Sequence, residues 1–275
     1  MTARILYDNK ADTATLTASS EAGSLVVENL LTDIKSEVWR SDTDTGTITA
    51  VWTDPIYANM AALPFCNLKS TATIRARGYT NAGDASPAVD TGTVLACAYE
   101  PLGNWWGTRP LGVNAFSYGG GAYARVYFTG TTIRKLVIDI DDTGNPAGYI
   151  EAARLVTGAY WSPVFNPGYG FELAMGDDSK HERSDAGDLR TSRGASFRTL
   201  PIPLEYMQTA DRARLYEIKR GNGMARPVFV SLFPGNNADP QLEQAHQIYG
   251  KLVSPGGIAL PMFNTYSGAL EVQEI

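Results

Sequence analysis

The residues with the most chemical potential are two adjacent tryptophans, Trp105 and Trp106, set between Gly103 and Gly107, with Tyr118 and Tyr123 nearby. A flat indole on a loop can stack on the apolar face of a sugar or bury at a protein interface. It can equally anchor a loop beneath its own domain, and the residues alone leave these readings open. Asp139, Asp141 and Gly144 echo the start of a calcium loop, D-x-D-x-[DN]-G. Thr143 stands at its fifth position and Ile150 at its twelfth, where a bidentate glutamate is needed. A strand end followed by a turn is therefore expected there, and no bound metal.

Little else suits catalysis. A serine hydrolase elbow needs a glycine two residues either side of the serine. The nearest case, around Ser117, has Ala115 in place of the first glycine. His181 and His246 could act as bases but have no motif around them. No P-loop, GxGxxG, HExxH or paired CxxC is present. None of the 29 acidic residues is marked out as half of a glycosidase pair. The expectation is a protein that is not an enzyme and carries no cofactor.

Composition narrows the partners. The chain has 275 residues, enough for one large domain or two ordinary ones. A net charge of −6 disfavours nucleic acid as the main partner. No apolar run approaches the roughly 18 residues a membrane helix needs, so no membrane insertion is expected. The N-terminus lacks a basic start followed by an apolar run, so no signal peptide is expected. Cys66 and Cys97 have no CxxC companion and read as reduced core thiols of a chain made in a cytosol.

The elements that must position these residues are mostly strands, since 27 Gly and 15 Pro punctuate the chain often. Residues 4–7, 14–20, 38–40, 47–53 and 73–79 read as strands, with Ile48, Ala50 and Trp52 on one face and Ile74, Ala76 and Gly78 on another. Residues 81–124 read as a long aromatic loop insertion with one strand near 94–99. Strands resume over 124–128, 133–140 and 149–160; the last sets Ile150, Ala152, Arg154 and Val156 on one face. A connector near 161–170 suggests a boundary. Beyond it come a charged ribbon or hairpin over 177–198, a strand over 198–207 placed at an edge or bulge by Pro201 and Pro203, and a helix over 210–220. Thr209 would cap that helix, and Ala210, Ala213, Leu215 and Ile218 would form its apolar side. Strands over 227–233, 247–253 and 269–274 complete the chain, with a helical turn starting at Asp239-Pro240.

Two stretches carry a family resemblance. Asn29-Leu30, Trp39-Arg40-Ser41 and Ile150-Glu151-Ala152-Ala153-Arg154-Leu155 resemble the galactose-binding-like, discoidin-type jelly roll. The opening Ile5-Leu6-Tyr7-Asp8-Asn9 looks like the start of tail-associated proteins of tailed bacteriophages. Arg198-Thr199, the run from Ala225 to Val228, Ile248-Tyr249-Gly250 and Leu270-Glu271-Val272 resemble the C-terminal region of phage minor tail proteins. The resemblance implies a mainly β chain: a jelly-roll sandwich over 1–160, then a small tail-tube-like β barrel with one helix over 161–275. It implies a structural virion protein of the tail tip or baseplate, assembled in the host cytoplasm as a homo-oligomeric ring such as a hexamer. Tail tube, hub and other baseplate proteins would be its neighbours, and the faces from 177–203 and 227–233 would be complementary. The alternative is a carbohydrate-binding adsorption module contacting host surface glycans.

Overall fold

A computed structural model describes residues 2–98, 121–168, 172–235 and 240–275. The fold is mainly β and divides into two compact units. The first comprises Met1–Ser162 with Phe229–Gln247, and the second Pro163–Val228 with Ile248–Ile275. Residues 229–247, which the sequence reading kept in a domain running from 161 to the end, thus group with the first unit.

The first ten strands are β1 (Arg4–Leu6), β2 (Thr15–Ala18), β3 (Trp39–Arg40), β4 (Thr45–Cys66), β5 (Thr73–Tyr79), β6 (Val89–Asp90), β7 (Val94–Leu95), β8 (Ala122–Asp141), β9 (Glu151–Ala152) and β10 (Val156–Gly158). Nine of them, β2 to β10, form a sheet that runs β3-β9-β4-β8-β5-β6, with β2 and β10 also on β4 and β7 on β5. The expected alternation holds: Ile48 lies opposite Ile138, Ala50 opposite Leu136 and Ile74 opposite Ile140, and all are buried in one cluster. Facing apolar pairs of this kind are what lock register in a sheet. Trp39 fills the same cluster, and its Nε1 donates to the Ser20 carbonyl at 3.1 Å.

β8 is one strand where two were expected, and it pairs antiparallel with β4 along its length. The β4–β8 register slips between Val51 and Ile56, between Ala58 and Met60, and between Pro64 and Cys66. Pro55 falls in the first slip and lacks the N–H a regular ladder would use there. In the third, Phe65 has φ 56°, a left-handed conformation rare for an aromatic residue. Ala61 and Leu63 from one half of β4 share a cluster with Ile48 and Ala50 from the other, so the bent ribbon supplies walls on more than one side of the core.

Residues 149–160 do not form one strand. β9 and β10 both pair with β4, Ala152 opposite Cys66 and Val156 opposite Ala62. Between them the ladder faces Pro64 and the strained Phe65 and is broken. Leu155 N donates instead to the Leu30 carbonyl at 3.0 Å. Arg154 is buried, bonding Asp12 at 2.5 Å and Asp33 at 3.3 Å, and is no member of an alternating strand face.

After β8 the chain turns on Asp142. Its buried carboxylate accepts from Lys69 N at 3.1 Å and from Asn145 Nδ2 at 2.6 Å.

The second unit contains β11 (Ala174–Asp177), β12 (Lys180–Arg183), β13 (Leu189–Ser192), β14 (Ser196–Met207) and α1 (Thr209–Gly221). The remaining elements are β15 (Val228–Ser231), α2 (Pro240–Ala245), β16 (Gln247–Leu252), β17 (Ile258–Met262) and β18 (Thr265–Glu274). β15 pairs with β1, Ile5 opposite Val230. All four β15 residues are buried, so 227–233 does not supply the exposed assembly face expected of it. In the second unit β16, β18, β14 and β11 lie side by side with β17 beside β18. Among the described residues this ladder does not close into the expected barrel. Leu200, Ile202 and Leu204 of β14 and Leu270 and Val272 of β18 are buried, as are Leu215 and Ile218 of α1. β11 pairs with β14 only over 196–199. Pro201 and Pro203 therefore lie past its end, and the Pro203 carbonyl accepts from Gly168 N at 3.3 Å. Gly250 is required where β16 meets β18, because a Cβ there would stand 2.0 Å from the Gln273 carbonyl oxygen.

Two helix expectations change. Gln208 is the N-cap and makes no side-chain cap bond; Thr209 begins the helix and bonds Asn264 Oδ1 at 3.1 Å. The buried stripe is Asp211, Leu215, Ile218 and Lys219, a helical spacing, while Ala210 and Ala213 are exposed. Asp211 is tolerated inside because its carboxylate accepts from Val164 N at 3.1 Å.

Burial pushes the Asp142 carboxyl above the usual carboxylate range, against the opposing hydrogen bonds from Lys69 and Asn145. A raised folded value means the folded state holds the proton more tightly. The resulting stability is present below about pH 3.9 and is lost as pH rises through the folded value. Asp142→Asn should therefore gain stability relative to wild type as pH rises through that window. Thermal melts of both proteins between acid and neutral pH check this.

Candidate functional site

Trp105, Trp106 and Tyr118 lie outside the described residues. Both ends of the segment that carries them are described, and they meet at one place in the first unit. Cys66 is paired with Ala122, at the segment's far end. At its near end Ala96 O accepts from Arg125 N at 2.8 Å, and Ala98 O from Gln244 Nε2 at 2.8 Å.

A buried ion pair braces this neck. Arg125 Nε donates to Glu243 Oε1 at 2.9 Å, and Arg125 Nη1 donates to the carbonyls of Leu95 and Ala96, both at 3.0 Å. Gln247 Nε2 donates to the same Glu243 oxygen at 3.0 Å. Burial alone would weaken the charge on Arg125, but the Glu243 carboxylate outweighs it and raises the pKa. Tyr123, the fourth aromatic candidate, belongs to this brace rather than to an exposed platform. It is 2% exposed, and its ring lies 5.3 Å from Phe65 and 6.3 Å from Phe229. Lys35 Nζ sits 4.5 Å over the other partner, Phe65, a cation–π contact. Nothing in the sequence marks Arg125 or Glu243, because their pairing depends on a segment more than a hundred positions away.

The carboxylates of the calcium-loop echo have partners of their own. Asp139 is taken by Arg77 at 2.6 Å and by Thr47 Oγ1 at 3.1 Å. Asp141 accepts from the hydroxyl and backbone N–H of Thr143, which hold its carboxyl below the usual range. Among the described residues no three His, Cys, Asp or Glu side chains gather to hold a metal. The histidines are also occupied. His181 Nδ1 lies 2.9 Å from Thr191 Oγ1, and His246 Nδ1 lies 2.9 Å from the Leu242 carbonyl.

The second unit presents a different kind of surface. β12 and β13 form a two-stranded ribbon, Glu182 opposite Arg190, in which every strand residue is exposed. The β17–β18 hairpin turns at Asn264, whose φ of 57° suits asparagine. Around that turn Leu260 and Met262 are exposed and Phe263 is 99% exposed. The strand Ile258–Met262 lies outside the strands expected over 247–253 and 269–274. A hollow of about 500 Å³ beside the hairpin is lined by Arg212, Tyr216, Ile258, Leu260 and Tyr266.

No protein-family model and no curated protein matches the chain. Solved structures do. Chitosan-binding module 1 of a chitosanase/glucanase from Paenibacillus sp. IK-5 is 16% identical, with 55% of this chain and 99% of that chain covered at a TM-score of 0.37. The CBM32 of AlyQ, in complex with 4,5-unsaturated mannuronic acid, is 17% identical over 55% and 96% at 0.36. CpGH89CBM32-5 from Clostridium perfringens, in complex with GalNAc-beta-1,3-galactose, is 11% identical over 54% and 97% at 0.36.

Breaking a buried pair leaves one charge stranded, whereas replacing both partners by apolar groups is often neutral. Arg125→Met and Glu243→Leu should each cost about 3–5 kcal/mol, and the double variant much less than their sum. A double-mutant cycle by denaturant unfolding reads this out.

Proposed function

We propose that this chain is a non-catalytic assembly and adhesion protein, in which the second unit joins neighbouring subunits and the first carries the ligand-facing segment. The observation that carries the assembly half is the surface of the second unit. A two-stranded ribbon without a core is marginally stable in water. Exposed apolar side chains grouped at a hairpin tip mark an interaction surface. The ribbon over 180–192 and the tip at Leu260, Met262 and Phe263 combine both features, and a neighbouring subunit would cover them. The phage-tail resemblance puts such contacts in a homo-oligomeric ring at the tail tip, between the tube and the host-recognition apparatus.

The adhesion half rests on the indole pair Trp105-Trp106, with a surface saccharide as the ligand. Saccharide is also the ligand class in the names of the modules described above. A braced neck of the kind formed by Arg125, Glu243 and Gln244 would hold the segment's ends in place while the indoles meet the sugar.

Replacing Met262 and Phe263 together by serine should leave the circular dichroism spectrum unchanged and shift the protein towards monomer in light scattering. A wild-type chain that is monomeric at every concentration, and absent from the tip of assembled particles, contradicts the assembly half. Changing Trp105 and Trp106 to alanine should abolish glycan binding while leaving association intact. A wild-type protein that binds nothing on a glycan array and nothing on host cells removes the adhesion half.

A further inference from the structure

Two surfaces of the second unit lie at opposite edges of one sheet. β17, β18, β14 and β11 stand side by side, β17 pairing with β18 and β11 with β14. The β12–β13 ribbon continues the β11–β14 hairpin. Asp177 pairs with Ser196, and Asp178 N donates to the Ala195 carbonyl at 3.0 Å where the ribbon begins. The hollow lined by Arg212, Tyr216, Ile258, Leu260 and Tyr266 sits at the other edge, beside β17. Different surfaces at opposite edges are the two halves of a head-to-tail contact, the kind that closes a ring.

Their chemistry is complementary. Over 180–192 the ribbon carries one large apolar side chain, Leu189, and it is exposed. Leu189 follows a turn in which Gly187 N donates to the Ser184 carbonyl at 2.8 Å. Asp185 and Asp188 stand in that turn, exposed, and their carboxylates make no ion pair or hydrogen bond among the described residues. Arg183, across from Leu189, donates to the Gly187 carbonyl at 3.0 Å. The hollow offers the reverse. Ile258, Leu260 and the ring of Tyr216 are apolar, and Arg212 stands beside them with no acidic partner among the described residues. Its guanidinium is held in place without being neutralised. It lies 4.7 Å over the Tyr266 ring, and Nη1 donates to the Tyr266 hydroxyl at 3.3 Å. Arg214 and Glu217, further along the helix, answer each other at 2.9 Å.

We propose that the occupant of the hollow is the ribbon tip of a second copy of this chain, with Asp188 on Arg212 and Leu189 against Leu260 and Tyr216. The inference rests on the assembly half of the function proposed above and names its two contacting faces. The observation that selects a second copy is charge complementarity: an unpaired carboxylate beside an exposed leucine meets an unpaired guanidinium beside apolar walls. Each copy gives its ribbon to one neighbour and receives the ribbon of another. The α1–β17 edge thus takes the place of 227–233 as the counterpart of the ribbon, since β15 is buried.

Sedimentation of the full chain over a range of concentrations tests this. Asp188→Arg sets two cations together and Arg212→Glu two anions. Each should weaken self-association by roughly tenfold to a hundredfold with the circular dichroism spectrum unchanged. Leu189→Ser should weaken it as well. Mixing the Asp188→Arg chain with the Arg212→Glu chain should restore association, because every junction then joins opposite charges. Single variants that associate as strongly as wild type overturn the contact, and so does a mixture that stays dissociated. Restoration in the doubly substituted chain but not in the mixture also overturns it, since the pair then forms within one chain. In these cases a wild-type chain that still associates keeps the assembly half standing through other faces. A wild-type chain that is monomeric at every concentration removes that half and this contact together.

Discussion

The ladder between β4 and β8 is the constraint on which the first unit depends. Two strands of 22 and 20 residues run antiparallel, and β2, β5, β9 and β10 all pair with one or the other. A straight ribbon of that length would leave one face bare. The three slips in register bend it, so that Ile48, Ala50, Ala61 and Leu63 of one strand share a cluster with Ala124, Leu136 and Ile138 of the other. The cost is local: Pro55 and Pro64 cannot donate, and Phe65 is held in a conformation that glycine would adopt more readily. Packing of Phe65 against Tyr123 and Lys35 offsets that strain.

Polar groups buried by this bending are satisfied in pairs. Arg154 answers the broken ladder opposite Pro64 by reaching Asp12 and Asp33. Arg125 answers the chain end at Ala96 by bonding two carbonyls and Glu243. Asp142 caps the turn after β8 through Lys69 and Asn145. Each group would cost several kcal/mol if left alone in the core, so each is better understood as specifying one arrangement than as adding net stability.

The second unit is built on different terms. Its buried side chains come from β14, β18 and α1, and much of its remaining apolar surface faces solvent. Every strand residue of the ribbon is exposed, and Phe263 at the hairpin tip is almost bare. The neck of the first unit holds the described ends at Ala98 and Ala122, and the hairpin of the second leaves Leu260, Met262 and Phe263 exposed.

Much of the strand content was legible in the sequence because alternation is local. Ile48, Ala50 and Trp52, or Leu136, Ile138 and Ile140, declare their faces within a few residues. The exposed ribbon near 180–192 and the helix near 210–220 were legible for the same reason, through charge density and helical spacing. Several details needed the fold. The break between β9 and β10 is imposed by Pro64 across the ladder. The buried face of α1 includes Asp211 because Val164 N supplies a partner. Tyr123 reads as a binding aromatic in isolation and as a core anchor once Phe65 and Phe229 surround it. The sequence by itself determined a mainly β chain with few catalytic resources, since composition and periodicity are properties of neighbouring residues. Only the tertiary structure decided that residues 229–247 group with the first unit, that Arg125 meets Glu243 and that Arg154 meets Asp12. Those pairings join positions far apart in the chain, and their energy exists only once folding has removed the water between them.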